Sequence, residues 1–199
     1  MALKVLRLSF RDTWQEFWTI LIVHLLFLLG NILIIPGPPA TLALFFYGNR
    51  IAHGEIANER DFLHAMRTYW RPAWRWGLIN LVVAGLLLGD YYLTGKLAGN
   101  SNIAYFIQGL YIVLLAGWLL LQLFALPFLF EQEQPSVLQA LRNASVFIRR
   151  NLLFVLVLAL LLGLSLVAGT LAFMLTFAFG GAFLAFAGNR AVLKDLPDR

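Results

Sequence analysis

The sequence predicts an all-α, polytopic membrane helix bundle: six transmembrane helices and three basic interfacial helices, arranged as a threefold repeat of interfacial helix plus helical hairpin. Three observations lead there. Of the 199 residues, 61% are hydrophobic and 13% charged, where soluble domains average about 25% charged. The apolar runs are long and rich in Leu, Phe and Gly, without the alternation of outer-membrane barrel strands, so the spans are helical. Nearly every Lys and Arg borders an apolar run, the position of residues that orient the chain and meet anionic headgroups. That placement, and not a nucleic acid partner, accounts for the net charge of +5. The chain has no cysteine, which removes disulfides, thiolate metal sites and thiol nucleophiles together.

The whole chain, 1–199, reads as one integral membrane domain. A first interfacial helix is expected over 2–16, with Lys4, Arg7 and Arg11 on one face and Leu3, Leu6, Phe10, Trp14 and Phe17 on another. The first span, 17–35, carries no formal charge and measures about 28 Å as a helix, against a hydrocarbon core of about 30 Å. A basic segment before an apolar run also resembles a signal peptide. This run is longer than the usual ~7–15 residues and lacks a small-x-small cleavage site, so it is read as a retained span.

Pro36-Gly37-Pro38-Pro39 stops that helix, because proline removes backbone donors and pushes the preceding residue out of the helical region. A short second span over 39–53 is expected, with Pro39 at the first helical position. At about 22 Å it crosses only if the bilayer thins or its basic end snorkels.

The second interfacial helix, 61–76, reads DFLHAMRTYWRPAWRW. Helical spacing puts His64, Arg67, Arg71 and Arg75 in one cationic stripe and Phe62, Met66, Tyr69, Ala73 and Trp76 on another face, with a kink or split at Pro72. Spans over 77–93 and 103–130 follow, joined by a polar turn at 94–102. After the loop Glu131 to Pro135, a third interfacial helix over 136–151 matches the second at a shift of 75. Leu63 corresponds to Leu138, Ala65 to Ala140, Met66 to Leu141, Arg67 to Arg142 and Arg75 to Arg150.

Leu152 to Gly188 is uncharged and would measure about 55 Å as one helix, so it divides into spans 152–168 and 171–188 around Gly169-Thr170. The last span ends in Gly188-Asn189-Arg190, repeating Gly48-Asn49-Arg50 at a shift of 140. Both ends are expected to be helix C-caps with a snorkelling arginine, with a paired anion site as the other reading. With six crossings every Lys and Arg except Lys96 lies on one side, which predicts a multi-pass protein with both termini cytoplasmic.

The segment Ile35-Pro36-Gly37-Pro38-Pro39-Ala40-Thr41-Leu42-Ala43-Leu44, with Arg50, His53-Gly54-Glu55 and Asp61-Phe62-Leu63, resembles the YesL-like family of bacterial membrane proteins over about 27–80. In that family a first span ends in Gly-Pro-Ala, followed by a short helix, a basic residue with Gly-Glu, and an aromatic-rich amphipathic helix. Here Gly37-Pro38-Pro39-Ala40 has one extra proline. The resemblance implies a bacterial plasma (inner) membrane protein, no established activity, no catalytic residues to carry over, and an association with carbohydrate uptake.

Polar groups inside spans are costly and therefore informative. His24 and Asn31 share a face of the first span, Gln108 and Gln122 a face of the fourth, and Asp90 sits near the outer end of the third beside Tyr91, Tyr92 and Lys96. Each is a candidate for an intramembrane polar site or, more simply, for pairing between helices. Arg67, Arg71, Arg75, Arg142, Arg149 and Arg150 are candidates for binding anionic lipid headgroups or an acidic partner, or for topology alone. The histidines have no carboxylate at metal-ligand spacing, and no nucleophile elbow or phosphate-cradling loop occurs. The expected function is a non-catalytic accessory or scaffolding membrane protein, without a cofactor, near a solute-uptake system. Its expected partners are membrane lipids, transport-system subunits and further copies of itself. The alternative is a small oligomeric transporter or channel with His24, Asn31, Gln108 and Gln122 facing a shared cavity; a membrane-shaping role is third.

Overall fold

The computed structural model describes the backbone of residues 2–99, 101–171 and 174–193, and the side chains of these outside 169–178. Among the described residues there are nine α-helices and no strand. They are α1 (Ala2–Gln15), α2 (Phe17–Ile32), α3 (Gly37–Ala52), α4 (Glu59–Thr68), α5 (Trp70–Ala98), α6 (Asn102–Phe130), α7 (Val137–Arg150), α8 (Leu152–Leu171) and α9 (Met174–Leu193).

Among the described residues α5 and α6 are each long and apolar enough to cross a membrane, and the number rises to four if each of two bent pairs is one span. The bends are large. The chain turns by 94° between α1 and α2 and by 100° between α7 and α8. Outward faces carry large apolar side chains: Ile22, Leu25 and Leu29 on α2, Leu81, Val82 and Leu86 on α5, Leu153, Leu156 and Leu160 on α8 are all exposed. Such faces are stable against hydrocarbon and costly against water.

The helix that precedes each bend has three faces instead of the two expected. On α1 the protein-facing stripe is Ala2, Val5, Ser9 and Asp12, all buried, while Leu3, Phe10 and Trp14 are exposed and Lys4, Arg7 and Arg11 lie exposed on a further strip. Small and polar residues thus make the closest contact with the bundle, while Leu3 and Trp14 stay exposed and Phe10, itself largely exposed, places its ring 4.8 Å from that of Phe183 on α9. The same order recurs in α4 and α7. Leu3, Leu63 and Leu138 are exposed; Val5, Ala65 and Ala140 are buried; Leu6, Met66 and Leu141 are half-buried; Arg7, Arg67 and Arg142 are exposed.

Several boundaries differ from expectation, each for a local reason. The stretch 61–76 is two helices. α4 starts two residues earlier, where Asn58 accepts from the Arg60 and Asp61 amides (2.9 and 3.1 Å) and Asp61 accepts from the Asn58 amide (3.0 Å), a reciprocal capping box. The break falls at Tyr69 and not at Pro72, because Pro72 occupies the first turn of α5, where no intrahelical partner awaits its missing N–H. α5 then continues without interruption to Ala98, so the expected polar turn shrinks to the few residues around Gly99, whose φ is +61°. α3 begins at Gly37, which places both Pro38 and Pro39 in its first turn. α8 runs through Gly169-Thr170 to Leu171, and its connection to α9 at 172–173 lies outside the described residues.

The two Gly-Asn-Arg segments are not C-caps. α3 continues to Ala52 and ends in a Schellman arrangement, with the Glu55 amide on the Arg50 carbonyl (2.9 Å), the Gly54 amide on Ile51 (3.0 Å) and Gly54 at φ +80°. Gly48 and Gly188 lie inside helices that pack against each other and against α6. A Cβ on Gly48 would come within 3.1–3.3 Å of Phe186, Asn189 and the Ala185 backbone, and one on Gly188 within 2.6 Å of the Leu123 carbonyl oxygen. The glycines let α3, α6 and α9 approach closely enough to form the centre, which Tyr47, Phe124, Leu129 and Phe186 fill. Around it α4 packs on α3, α7 on α6, and α1 on α9, so the last described helix closes on the first.

Candidate functional site

The fold separates engaged arginines from exposed ones. Arg50 meets Glu55 and Asp61 at 2.8 Å each, Arg190 donates to Asp12 through two nitrogens (2.9 and 2.8 Å) and to the Ala52 carbonyl (3.0 Å), and the more exposed Arg11 reaches the other Asp12 oxygen at 3.3 Å. The contacts of Arg50 and Arg190 tie the end of one helix to a following or preceding one, α3 to α4 and α9 to α1. The paired anion site considered for these two arginines is therefore occupied by the protein's own carboxylates.

The other group is exposed. Arg67 lies in the last turn of α4, Arg71 and Arg75 in the first two turns of α5, Arg142 midway along α7 and Arg149 and Arg150 in its last turn. None of the six has a carboxylate within ion-pair distance among the described residues. The break at Tyr69 distributes the first stripe over two helices. Arg149 and Arg150 sit at a helix C-terminus, where the backbone dipole favours cations.

The polar residues inside the apolar helices are brought to separate places, each with its own surroundings. His24 is buried on α2 beside the Phe27 ring at 5.4 Å, and a Cβ on Gly181 of α9 would touch it. Asn31 is exposed and donates to the Phe27 carbonyl of its own helix (2.9 Å). Gln108 donates across the α5–α6 hairpin to the Tyr91 carbonyl (3.2 Å), in space left by Gly95. Gln122 accepts from the Trp76 indole (2.8 Å). Asp90 is exposed, and Lys96 lies 6.0 Å from the centre of the Tyr92 ring.

Two polar sets were not anticipated. Trp118 donates to Asn80 (2.9 Å), Asn80 donates to the Trp76 carbonyl (2.9 Å), and with Trp76 on Gln122 this makes a ladder from α6 to α5 and back. The signal was available: an indole N–H in apolar surroundings needs an acceptor, and Asn80 and Gln122 are the nearby polar residues. The second set joins the ends of α3 and α6. Asn49 donates to Glu131 (2.7 Å), and the His53 ring lies 2.9 Å from the Asn49 carbonyl through Nδ1 and 3.5 Å from Glu131 through Nε2. Sequence spacing carries no signal for it, since Asn49 and Glu131 are 82 positions apart. Among the described residues no cluster of three His, Asp or Glu side chains could hold a metal ion. Comparison with protein-family models, with curated proteins and with solved structures finds no match for this chain.

Proposed function

We propose that this chain is a YesL-like, non-catalytic accessory protein of the bacterial plasma membrane, whose exposed cytoplasmic arginines hold acidic subunits of a solute-uptake system. The observation that carries the reading is a contrast among the arginines: Arg11, Arg50 and Arg190 are used in internal ion pairs, whereas Arg67, Arg71, Arg75, Arg142, Arg149 and Arg150 on the second and third basic regions are exposed without a carboxylate partner among the described residues. Orientation requires only that positive charge stay on one side. It does not require that these charges stand exposed without a carboxylate partner. The resemblance over 27–80 supports the association with carbohydrate uptake.

In this reading α2, α3, α5, α6, α8 and α9 cross the membrane, α1, α4 and α7 lie along its cytoplasmic face, and both termini are cytoplasmic. The near-perpendicular turns after α1 and α7 support that arrangement. A threefold repeat is supported by the burial pattern shared by α1, α4 and α7 and by the packing of α9 back on α1.

Charge reversal at Arg67, Arg71 and Arg75, to Glu, tests the function. Extraction in lipid-retaining particles followed by mass spectrometry is expected to recover uptake-system subunits with the native chain and to lose them with the variant. At up to about 1 kcal/mol for each exposed ion pair, loss of three contacts corresponds to up to roughly a hundredfold weaker association. Unchanged recovery sinks the proposal. Topology is tested separately by placing single cysteines in a chain that has none. Ser101→Cys is expected to react with an impermeant reagent on intact cells and Lys4→Cys, on the water-facing strip of α1, only after permeabilisation. Labelling of both from outside would mean five crossings.

A further inference from the structure

The geometry points to a specific site for one anionic phospholipid in the cleft between the start of α5 and the first turn of α7. The cleft has a volume of about 460 Å³ and is lined by Arg75, Leu78 and Ile79 on one side and Ser136, Val137 and Leu138 on the other. That volume lies within the range of about 300–1,000 Å³ typical of small-ligand sites. It is too small for a whole phospholipid and suits the phosphate and glycerol portion.

Its lining combines a cation with apolar surface. Arg75 supplies a guanidinium with no carboxylate partner among the described residues. Leu78 and Ile79 follow three and four positions on, and so lie one helical turn further along the same face. Beyond them Leu81, Val82 and Leu86 are exposed on α5, a surface along which acyl chains can continue out of the cleft. A phosphodiester needs a cation beside an apolar path, and this is the order in which α5 presents them. The facing wall adds no opposing charge, since the first turn of α7 has no acidic residue.

Depth agrees. Trp70, Trp74 and Trp76 surround Arg75 in sequence, and tryptophan concentrates at the level of the headgroups. The walls are also held in place before any ligand arrives. A Cβ on Gly77 would lie 2.8 Å from Pro38, so α5 is seated tightly on α3 immediately beside the cleft. Val137 packs on the core that includes Leu126, Leu129 and Ala140. A preformed site loses less entropy on binding. The assignment rests on the cytoplasmic placement of α5's N-terminus and of its exposed arginines in the proposed function, and it distinguishes Arg75 from the other five by giving it an apolar cleft.

The test is native mass spectrometry of the full chain released from vesicles of phosphatidylcholine containing phosphatidylglycerol, with Arg75→Gln, Leu78→Trp and Arg142→Gln compared with the unmodified chain. Arg75, Leu78 and Arg142 are exposed, so the substitutions leave the core intact, and circular dichroism confirms it. One retained phosphatidylglycerol is expected on the unmodified chain and on Arg142→Gln. Arg75→Gln removes the cation and Leu78→Trp fills the cleft without changing charge; each is expected to lower retention at least tenfold. Equal losses in both arginine variants with none in Leu78→Trp would overturn the cleft and leave the arginine surface reading in place. Absence of retained phosphatidylglycerol from the unmodified chain would overturn the site outright.

Discussion

Replacing Asp12 with alanine is expected to lower the stability of the folded bundle by about 3 kcal/mol, the lower end of the range for removing one partner of a buried ion pair. Asp12 is 4% exposed and Arg190 21%, so the pair is largely removed from solvent. Without the carboxylate, the Arg190 guanidinium keeps only the Ala52 carbonyl. Most of the loss is the cost of that uncompensated charge, not the worth of the bond. The double change Asp12→Leu with Arg190→Met is therefore expected to recover much of the stability, because it leaves no buried charge behind. Unfolding by sodium dodecyl sulfate in mixed micelles, followed by circular dichroism, compares both variants with the unmodified chain, and adding the single changes Asp12→Leu and Arg190→Met completes the cycle. A loss under about 1 kcal/mol in Asp12→Ala would place the pair among solvent-screened surface bridges. It would also remove the argument that this contact closes α9 on α1.

Gly188→Ala is expected to cost about 2–3 kcal/mol, at the upper end of ordinary overpacking. The new methyl would sit 2.6 Å from the Leu123 carbonyl oxygen. That atom is backbone, so relief requires α6 and α9 to move apart. Gly181→Ala offers a graded comparison: its Cβ meets the His24 and Phe27 side chains at 2.9 and 3.0 Å, which can rotate, and the expected loss is smaller. Gly163→Ala is the control, since nothing lies within 4 Å of its Cβ and alanine in a helix interior gains about 1 kcal/mol over glycine. The same unfolding measurement ranks the three. Equal effects at positions 188 and 163 would show that α6 and α9 do not meet as described.

Arginine partnership divides along the same lines as helix contact. Arg50 and Arg67 are both basic residues in the last turn of a helix. One is held by Glu55 and Asp61 and the other is exposed. The Glu55 contact is local enough to have been visible, being five residues away. The Asp12 contact of Arg190 spans 178 positions, and no local pattern reports it. The expectation of a shared cavity for His24, Asn31, Gln108 and Gln122 rested on helical spacing alone. Spacing sets which face of a helix a side chain occupies and says nothing of what that face meets. Trp76, placed on the apolar face of 61–76, and Trp118, which spacing did not single out, are the partners of Gln122 and Asn80.

What the sequence by itself determined is local. The helical class, the three basic helices at 2–16, 61–76 and 136–151 as regions, and the runs that form α2, α6 and α8 follow from apolar run length, charge placement and proline, all of which act within a few turns. It also contained the break before Pro72, displaced by three residues, since proline belongs in a first turn. Tertiary structure alone decided that Gly48 and Gly188 are contact points instead of helix ends. It also decided that Ala2, Val5, Ser9 and Asp12 face the protein while Leu3 and Trp14 are exposed, and that only some arginines remain exposed. The physical reason is common to all three. In a surrounding as apolar as leucine, burying a large side chain gains little, so helices associate through close backbone approach and satisfied polar groups, and those depend on which distant helix arrives alongside.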